Sequence, residues 1–195
     1  MLTKLLDNAL SEDCFLDIKN IIFSDDFPWF YTKTAYGDKS KLCLFGYSYS
    51  NTVFAHGVFY DAQAPLIFSI TKKLLDNAGE DVKSVERIRI GSIPATEKTL
   101  VHDAHVDFID SHKTGLFYLN DADGDTIIYN ERFDIESKVD AYTQYTDIKE
   151  CLTVRDRITP KSNRFFCFDG LLYHSSSTTT SVDRRIVMNI NYIVN

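Results

Sequence analysis

The chain has 195 residues, 44% of them hydrophobic and 13% aromatic, and its 28 acidic against 21 basic side chains give a formal charge of −7. That length carries a core without disulfides or metals and fits one domain. No run approaches the roughly 18 apolar residues of a membrane span, and the acidic balance argues against bulk nucleic-acid binding, which needs a basic surface to displace counterions.

Residues 2–10 read as a short helix with Leu2, Leu5, Leu6, Ala9 and Leu10 on one side. The apolar residues of MLTKLLDNALSEDC are broken by Lys4, Asp7, Glu12 and Asp13, so no secretion signal is visible. The segments KLCLFGYSYS and TVFAHGVFY predict strands separated by a Ser50-Asn51 turn. A stronger helix is predicted from about Pro65 to Ala78, with Ile67, Ile70, Leu74 and Ala78 at helical spacing and Gly79 as its stop. From Ser84 onward short apolar segments follow closely: VERIRI, LVHDAHVDF, GLFYLN, TIIYN, CLTVRDRI, RFFCFDG and RRIVMNINYIV. Many short strands without intervening helices predict a mainly β jelly roll with the N-terminal helices over one outer face. No repeat or linker divides the chain, so residues 1–195 read as a single domain, with 1–83 packing on a core formed by 84–195. Cys14, Cys43, Cys151 and Cys167 show no CxxC spacing, and four reduced thiols in a cytoplasmic protein is the expectation.

His105-Val106-Asp107 lies in a strand-like segment, where residues two apart share a face and can converge on one ion. Five histidines and 21 aspartates give about 0.5 His-x-Asp triplets by chance, so the motif needs context. By the same parity His102 faces away from any metal that His105 and Asp107 hold. The context is His174 in RFFCFDGLLYH, followed by a polar run and by Arg184-Arg185 opening a hydrophobic strand. Two imidazoles and a carboxylate on a β-scaffold are the facial triad of non-haem iron(II) oxygenases, and a nearby guanidinium suits bidentate pairing with a dicarboxylic cosubstrate. The other basic residues near the C-terminus, Arg155, Arg157, Lys161 and Arg164, read as solvated strand faces.

The order HVDF, FYLN, DGDT, a strand leading to His174, and an arginine opening the last strand resembles the iron(II)/2-oxoglutarate-dependent dioxygenases. It is most similar to their prolyl-4-hydroxylase-like branch and its compact phage or viral members. The resemblance covers roughly residues 84–195, with FPWFY at 27–31 similar to the N-terminal part of the phage-type members. It implies a double-stranded β-helix (jelly-roll, cupin-like) core with iron ligands at His105, Asp107 and His174. It also implies that Tyr118 of FYLN and an arginine after the distal histidine hold 2-oxoglutarate. The implied activity is hydroxylation of a substrate C–H bond with dioxygen, releasing succinate and CO2; a peptidyl proline or other amino-acid residue is the substrate the branch suggests. Related halogenases lack the carboxylate, so a retained Asp107 favours hydroxylation or demethylation. Two departures concern the substrate side: Asp123-Gly124-Asp125-Thr126 stands where many relatives carry Gly-Gly-x-Thr, and GSIPATEKTLVHDA replaces a tyrosine-and-glycine pattern before His-x-Asp.

Side chains alternate along a strand, so Arg184 and Arg185 point to opposite faces. Arg184 shares its face with Ile186, Met188 and Ile190, and Arg185 with Val187, Asn189 and Asn191, which selects Arg185 for the cosubstrate. The rival readings are a non-catalytic metal- or ligand-binding jelly roll and a hydrolytic zinc site, neither of which explains a paired arginine and tyrosine. Other residues take plainer readings: His56 as a satisfied structural histidine, Trp29 and its neighbours Phe30 and Tyr31 as core, His112 as a solvated turn residue, and Asp121, Asp123 and Asp125 as a hairpin turn lacking the glutamate of a calcium loop. Segments from about Gly91 to Ala104 and Phe133 to Glu150 read as long irregular loops over which substrate approaches.

Overall fold

The computed structural model describes residues 4–34, 45–137 and 139–195. Its order is β1 (Lys4–Leu6), α1 (Glu12–Ile22), β2 (Phe30–Thr34), β3 (Phe45–Ala55), β4 (Val58–Phe59), α2 (Ala64–Asn77), β5 (Val82–Pro94), β6 (Lys113–Tyr118), β7 (Thr126–Arg132), α3 (Ala141–Ile148), β8 (Val154–Ile158), β9 (Arg164–Asp169), β10 (Leu172–Ser176) and β11 (Arg184–Val194). Among the described residues an antiparallel sheet in the order β1-β9-β6-β11-β5-β3-β2 faces a smaller one in the order β10-β7-β8. The interior between them is filled by Leu116 and Tyr118 from β6, Phe166 and Phe168 from β9, Ile128 from β7 and Leu172 from β10. This is the jelly roll expected from the strand pattern. Among the described residues no helix is long and apolar enough to cross a membrane.

The outer face of the large sheet carries the main core. Ile88 and Ile90 of β5 and Ile186, Met188 and Ile190 of β11 pack under Ile18 and Ile22 of α1 and Ile67, Ile70 and Leu74 of α2. The second helix matches its expected span, opening with a proline in its first turn, where a missing N–H costs nothing. Trp29 packs against this cluster and edge-on to Phe27, as a core reading requires, whereas its neighbours Phe30 and Tyr31 lie on the edge strand β2 and are exposed, not core.

Five segments depart from expectation. Residues 4–6 form a strand instead of a helix: they pair with β9, Asn8 turns the chain at positive φ, and the helix starts after Ser11 with Glu12 and Asp13 in its first turn. A nine-residue helix is marginal in isolation, whereas the open edge of β9 offers a full set of backbone partners. Ser50-Asn51 is strand interior. The turn lies at His56-Gly57, whose φ values of 48° and 81° fit a tight hairpin with both central residues left-handed. His56 is therefore an exposed turn residue, not a structural histidine within a strand. The 41–44 part of the first strand segment lies outside the described residues.

The Asp121–Asp125 stretch is a crossing between sheets, since β6 belongs to the large sheet and β7 to the small one. Asp123 accepts hydrogen bonds from the hydroxyls of Thr179 and Thr180 and the amides of Thr180 and Ser181. A Cβ on Gly124 would lie 2.6 Å from the Ser177 carbonyl oxygen, so this turn seats directly on the Ser/Thr run. Finally, Gly91–Pro94 completes β5, and the 133–150 segment contains α3, capped by Asp140 accepting from the amides of Tyr142 and Thr143.

Candidate active site

The segment from Leu100 to Phe108 is irregular, held by two isolated bridges, Val101 with Ser177 and His105 with His174. At the second, the His105 amide donates to the His174 carbonyl (2.9 Å) and the His174 amide to the His105 carbonyl (3.0 Å). This reciprocal pair sets the imidazoles side by side, ring centroids 4.6 Å apart. Asp107 follows two residues on, and the three candidate ligand atoms lie within 4.8 Å of one another. The backbone also sets the tautomers. Nδ1 of His174 lies 3.1 Å from the Leu172 carbonyl oxygen and Nδ1 of His105 3.4 Å from that of Asp103. A carbonyl only accepts, so each Nδ1 carries the proton and each Nε2 keeps its lone pair for an ion.

The Asp107 carboxylate, 5% exposed, is surrounded by donors. Arg87 Nη2 donates to Oδ1 at 2.7 Å, and Asn189 Nδ2 (3.0 Å), Asn191 Nδ2 (2.9 Å) and Thr114 Oγ1 (3.3 Å) donate to Oδ2. Burial alone would raise its pKa. Arg87, the two histidines and the Asn189 amide outweigh that and hold the carboxyl well below its usual range. His105 is moved to about 3 by burial first and then by His174. Both groups are thus in their ligating forms at neutral pH: a neutral imidazole and an ionised carboxylate.

The same pocket reaches Arg185. Its side chain is 1% exposed, and Nη2 donates to Thr126 Oγ1, which also accepts from the Tyr118 hydroxyl at 2.8 Å. The Arg185 Nε and Nη1 atoms are buried without a hydrogen-bond partner, and among the described residues no carboxylate lies within 4.0 Å of it. A buried guanidinium with unmet donors is costly unless an anion completes it. The cavity has a volume of about 110 Å³ and opens to solvent at its mouth. Arg184 is exposed on the opposite side of β11, as strand alternation requires.

His102 does not face away from the ligands as strand parity predicts. Because its segment is not a regular strand, parity does not apply, and it lines the same pocket with Nδ1 2.9 Å from Ser176 Oγ. Burial and then Arg185 lower its pKa to about 4. His112 is also buried, its ring against Gly170, where a Cβ would lie 2.2 Å from it, and not solvated as expected. Sequence reading missed Thr126 and Arg87. The first sits in the DGDT piece already singled out; the second carries no local signal, since only the β5–β11 pairing brings it to Asp107.

No protein-family model matches the chain, and no curated protein does. Solved structures do match in fold. A 2OG-Fe(II) oxygenase family oxidoreductase from Burkholderia pseudomallei superposes with a TM-score of 0.64 at 12% identity, over 97% of this chain and 84% of that one. A prolyl hydroxylase from Trichoplax adhaerens, in complex with a hypoxia inducible factor peptide fragment, gives 0.60 at 12% identity, over 98% and 83%. The epimerase SnoN in complex with Fe3+, alpha ketoglutarate and nogalamycin RO gives 0.57 at 11% identity, over 98% and 78%. The chain therefore has the jelly-roll fold of the 2OG-Fe(II) oxygenases and prolyl hydroxylases that its motif order resembles.

Proposed function

We propose that this protein is an iron(II)- and 2-oxoglutarate-dependent dioxygenase that hydroxylates a C–H bond of its substrate. One observation carries the reading: a single pocket holds a two-histidine, one-aspartate donor set and, beyond it, a buried arginine whose Nε and Nη1 have no partner. A metal alone accounts for the first and leaves the second unmet. A chelating dicarboxylate accounts for both.

His105, Asp107 and His174 would hold the iron through Nε2, a carboxylate oxygen and Nε2. Arg185 would pair with the distal carboxylate of 2-oxoglutarate, steadied by Thr126 and Tyr118. When bound, iron and cosubstrate supply an oxidant from dioxygen, with loss of succinate and CO2. The chain's own work is positional. Arg87 and the Asn189 and Asn191 amides keep Asp107 ionised and fixed, the Leu172 and Asp103 carbonyls fix the imidazoles, and the apolar residues between the sheets exclude water. In this reading residues 1–195 are one dioxygenase domain, and the scattered thiols suit the cytoplasm. The prolyl hydroxylases among similar folds, one of them bound to a peptide, make an amino-acid unit, within a peptide or free, the starting substrate class.

Anaerobic addition of iron(II) and 2-oxoglutarate should give the weak visible charge-transfer band of a chelated keto acid, and Asp107→Ala should lose the band and turnover while remaining folded. Full succinate production by Asp107→Ala under saturating iron would overturn the assignment.

A further inference from the structure

That assignment leaves Arg89 without a role and uses only the Nδ2 end of the Asn189 amide. Arg89 on β5 and Asn189 on β11 are directly paired across the strands, and both line the cavity that holds His105, Asp107 and Arg185. Arg87 and Arg89, two apart on β5, differ in their partners. Arg87 is neutralised by Asp107. Arg89 donates to the Ser50 hydroxyl at 3.1 Å, and among the described residues no carboxylate lies within 4.0 Å of it. Once Arg185 takes the cosubstrate's distal carboxylate, Arg89 is the pocket guanidinium that still lacks an anion. Arg89 is half-buried, and a single hydroxyl offsets little of the cost of partly withdrawing a guanidinium from water, whereas a carboxylate does so bidentately.

Asn189 supplies an independent constraint. Its Nδ2 donates to Asp107, and an ionised carboxylate can only accept, so the amide cannot be turned around. Oδ1 is then fixed away from Asp107, buried and without a partner. A bare acceptor beside a cation asks for a ligand that places an N–H donor next to a carboxylate. Deepening the dioxygenase reading, on which it rests, we infer that the substrate is a free amino acid, its carboxylate on Arg89 and its amino group on Asn189 Oδ1. That seats it against Asp107 and thus beside the metal.

The test uses protein loaded anaerobically with iron(II) and saturating 2-oxoglutarate. It is titrated with an equimolar mixture of the free L-amino acids, with a mixture of their carboxamides, and with tetrapeptides bearing free C-termini. Occupancy is read from the perturbation of the charge-transfer band. The acids should bind at least about tenfold more tightly than the amides. Arg89→Gln should abolish that preference with the unperturbed band intact, and Arg89→Lys should keep part of it. A response to the tetrapeptides alone would assign the same carboxylate chemistry to a peptide end and overturn the free amino acid. Equal binding of acids and amides, binding of neither, or an unchanged preference in Arg89→Gln would overturn the inference. Loss of the band in Arg89→Gln would do so too, by assigning Arg89 to the cosubstrate. If the wild-type protein gives no band, the dioxygenase reading itself falls, and this inference with it.

Discussion

The two faces of β11 share one backbone and have opposite chemistry. Toward the helices, Ile186, Met188, Ile190 and Tyr192 are buried in the main core, with Met188 accepting from the Thr71 hydroxyl on α2. Toward the small sheet, Arg185 and Asn191 are buried and Asn189 half-buried among polar partners, and several of their atoms have none. The first face gains free energy from apolar burial, at roughly 25 cal/mol per Å². The second buries charge and amides, which costs free energy until a ligand satisfies them. The strand thus divides its labour by parity: one side stabilises the fold, and the other holds groups whose needs define a ligand.

That division can be broken from either side. Ile190→Ala should cost about 2–5 kcal/mol of stability through lost burial and a cavity, read as a lower urea midpoint, while iron affinity of the folded fraction is unchanged. A fall in iron affinity beyond the loss of folded protein would mean that the two faces are mechanically coupled.

On the polar side, Arg185→Ala should raise the apparent Km for 2-oxoglutarate by the loss of a charge-assisted bidentate contact, roughly 2–4 kcal/mol, with Arg184→Ala near wild type. Arg185→Met should leave the ligand-free protein as stable as wild type or more so, because it replaces a buried unpaired guanidinium with an apolar side chain of similar reach. Equal Km effects at the two arginines would undo the parity argument.

How much of this was legible follows from the range of the interactions. β11 could be read in detail because alternation is local, and the residues of RRIVMNINYIV sort themselves between the faces. The second helix was legible through its 3.6-residue spacing. The His102 to Asp107 stretch was misread as a strand, although the candidate ligands still converge. What aligns them is the single bridge between His105 and His174, 69 positions apart, and not a pleat. The surroundings of Asp107 were invisible for the same reason, since Arg87 and Asn191 reach it only through the pairing of distant strands. Likewise, residues 4–6 gave up a helical pattern for an edge of β9 that no local window contains.

The faces should also differ in their response to acid. His102 and His105, both on the pocket side, have pKa values lowered to about 4 and about 3, chiefly by burial. Their unfolded values lie near 6.5. Below about pH 6.5 the unfolded chain therefore binds a proton at each histidine that the native protein refuses, so stability falls as pH falls, by about 1.4 kcal/mol per pH unit for each histidine. On the helix side the buried carboxylate Glu80, paired with Lys113 and Lys4, works in a separate window. Burial would raise its pKa, but the two lysines draw it down, so its contribution persists above its unfolded value and fades only at more acidic pH. Between about pH 6.5 and 4.5 these two histidines, together with His112, whose pKa burial also lowers, should set the slope. The urea midpoint of the metal-free protein is expected to drop across that interval, and His102→Gln to flatten the decline by one proton's worth. A midpoint constant over the interval would mean that both pocket imidazoles charge freely in the folded state, and that the pocket admits water around them.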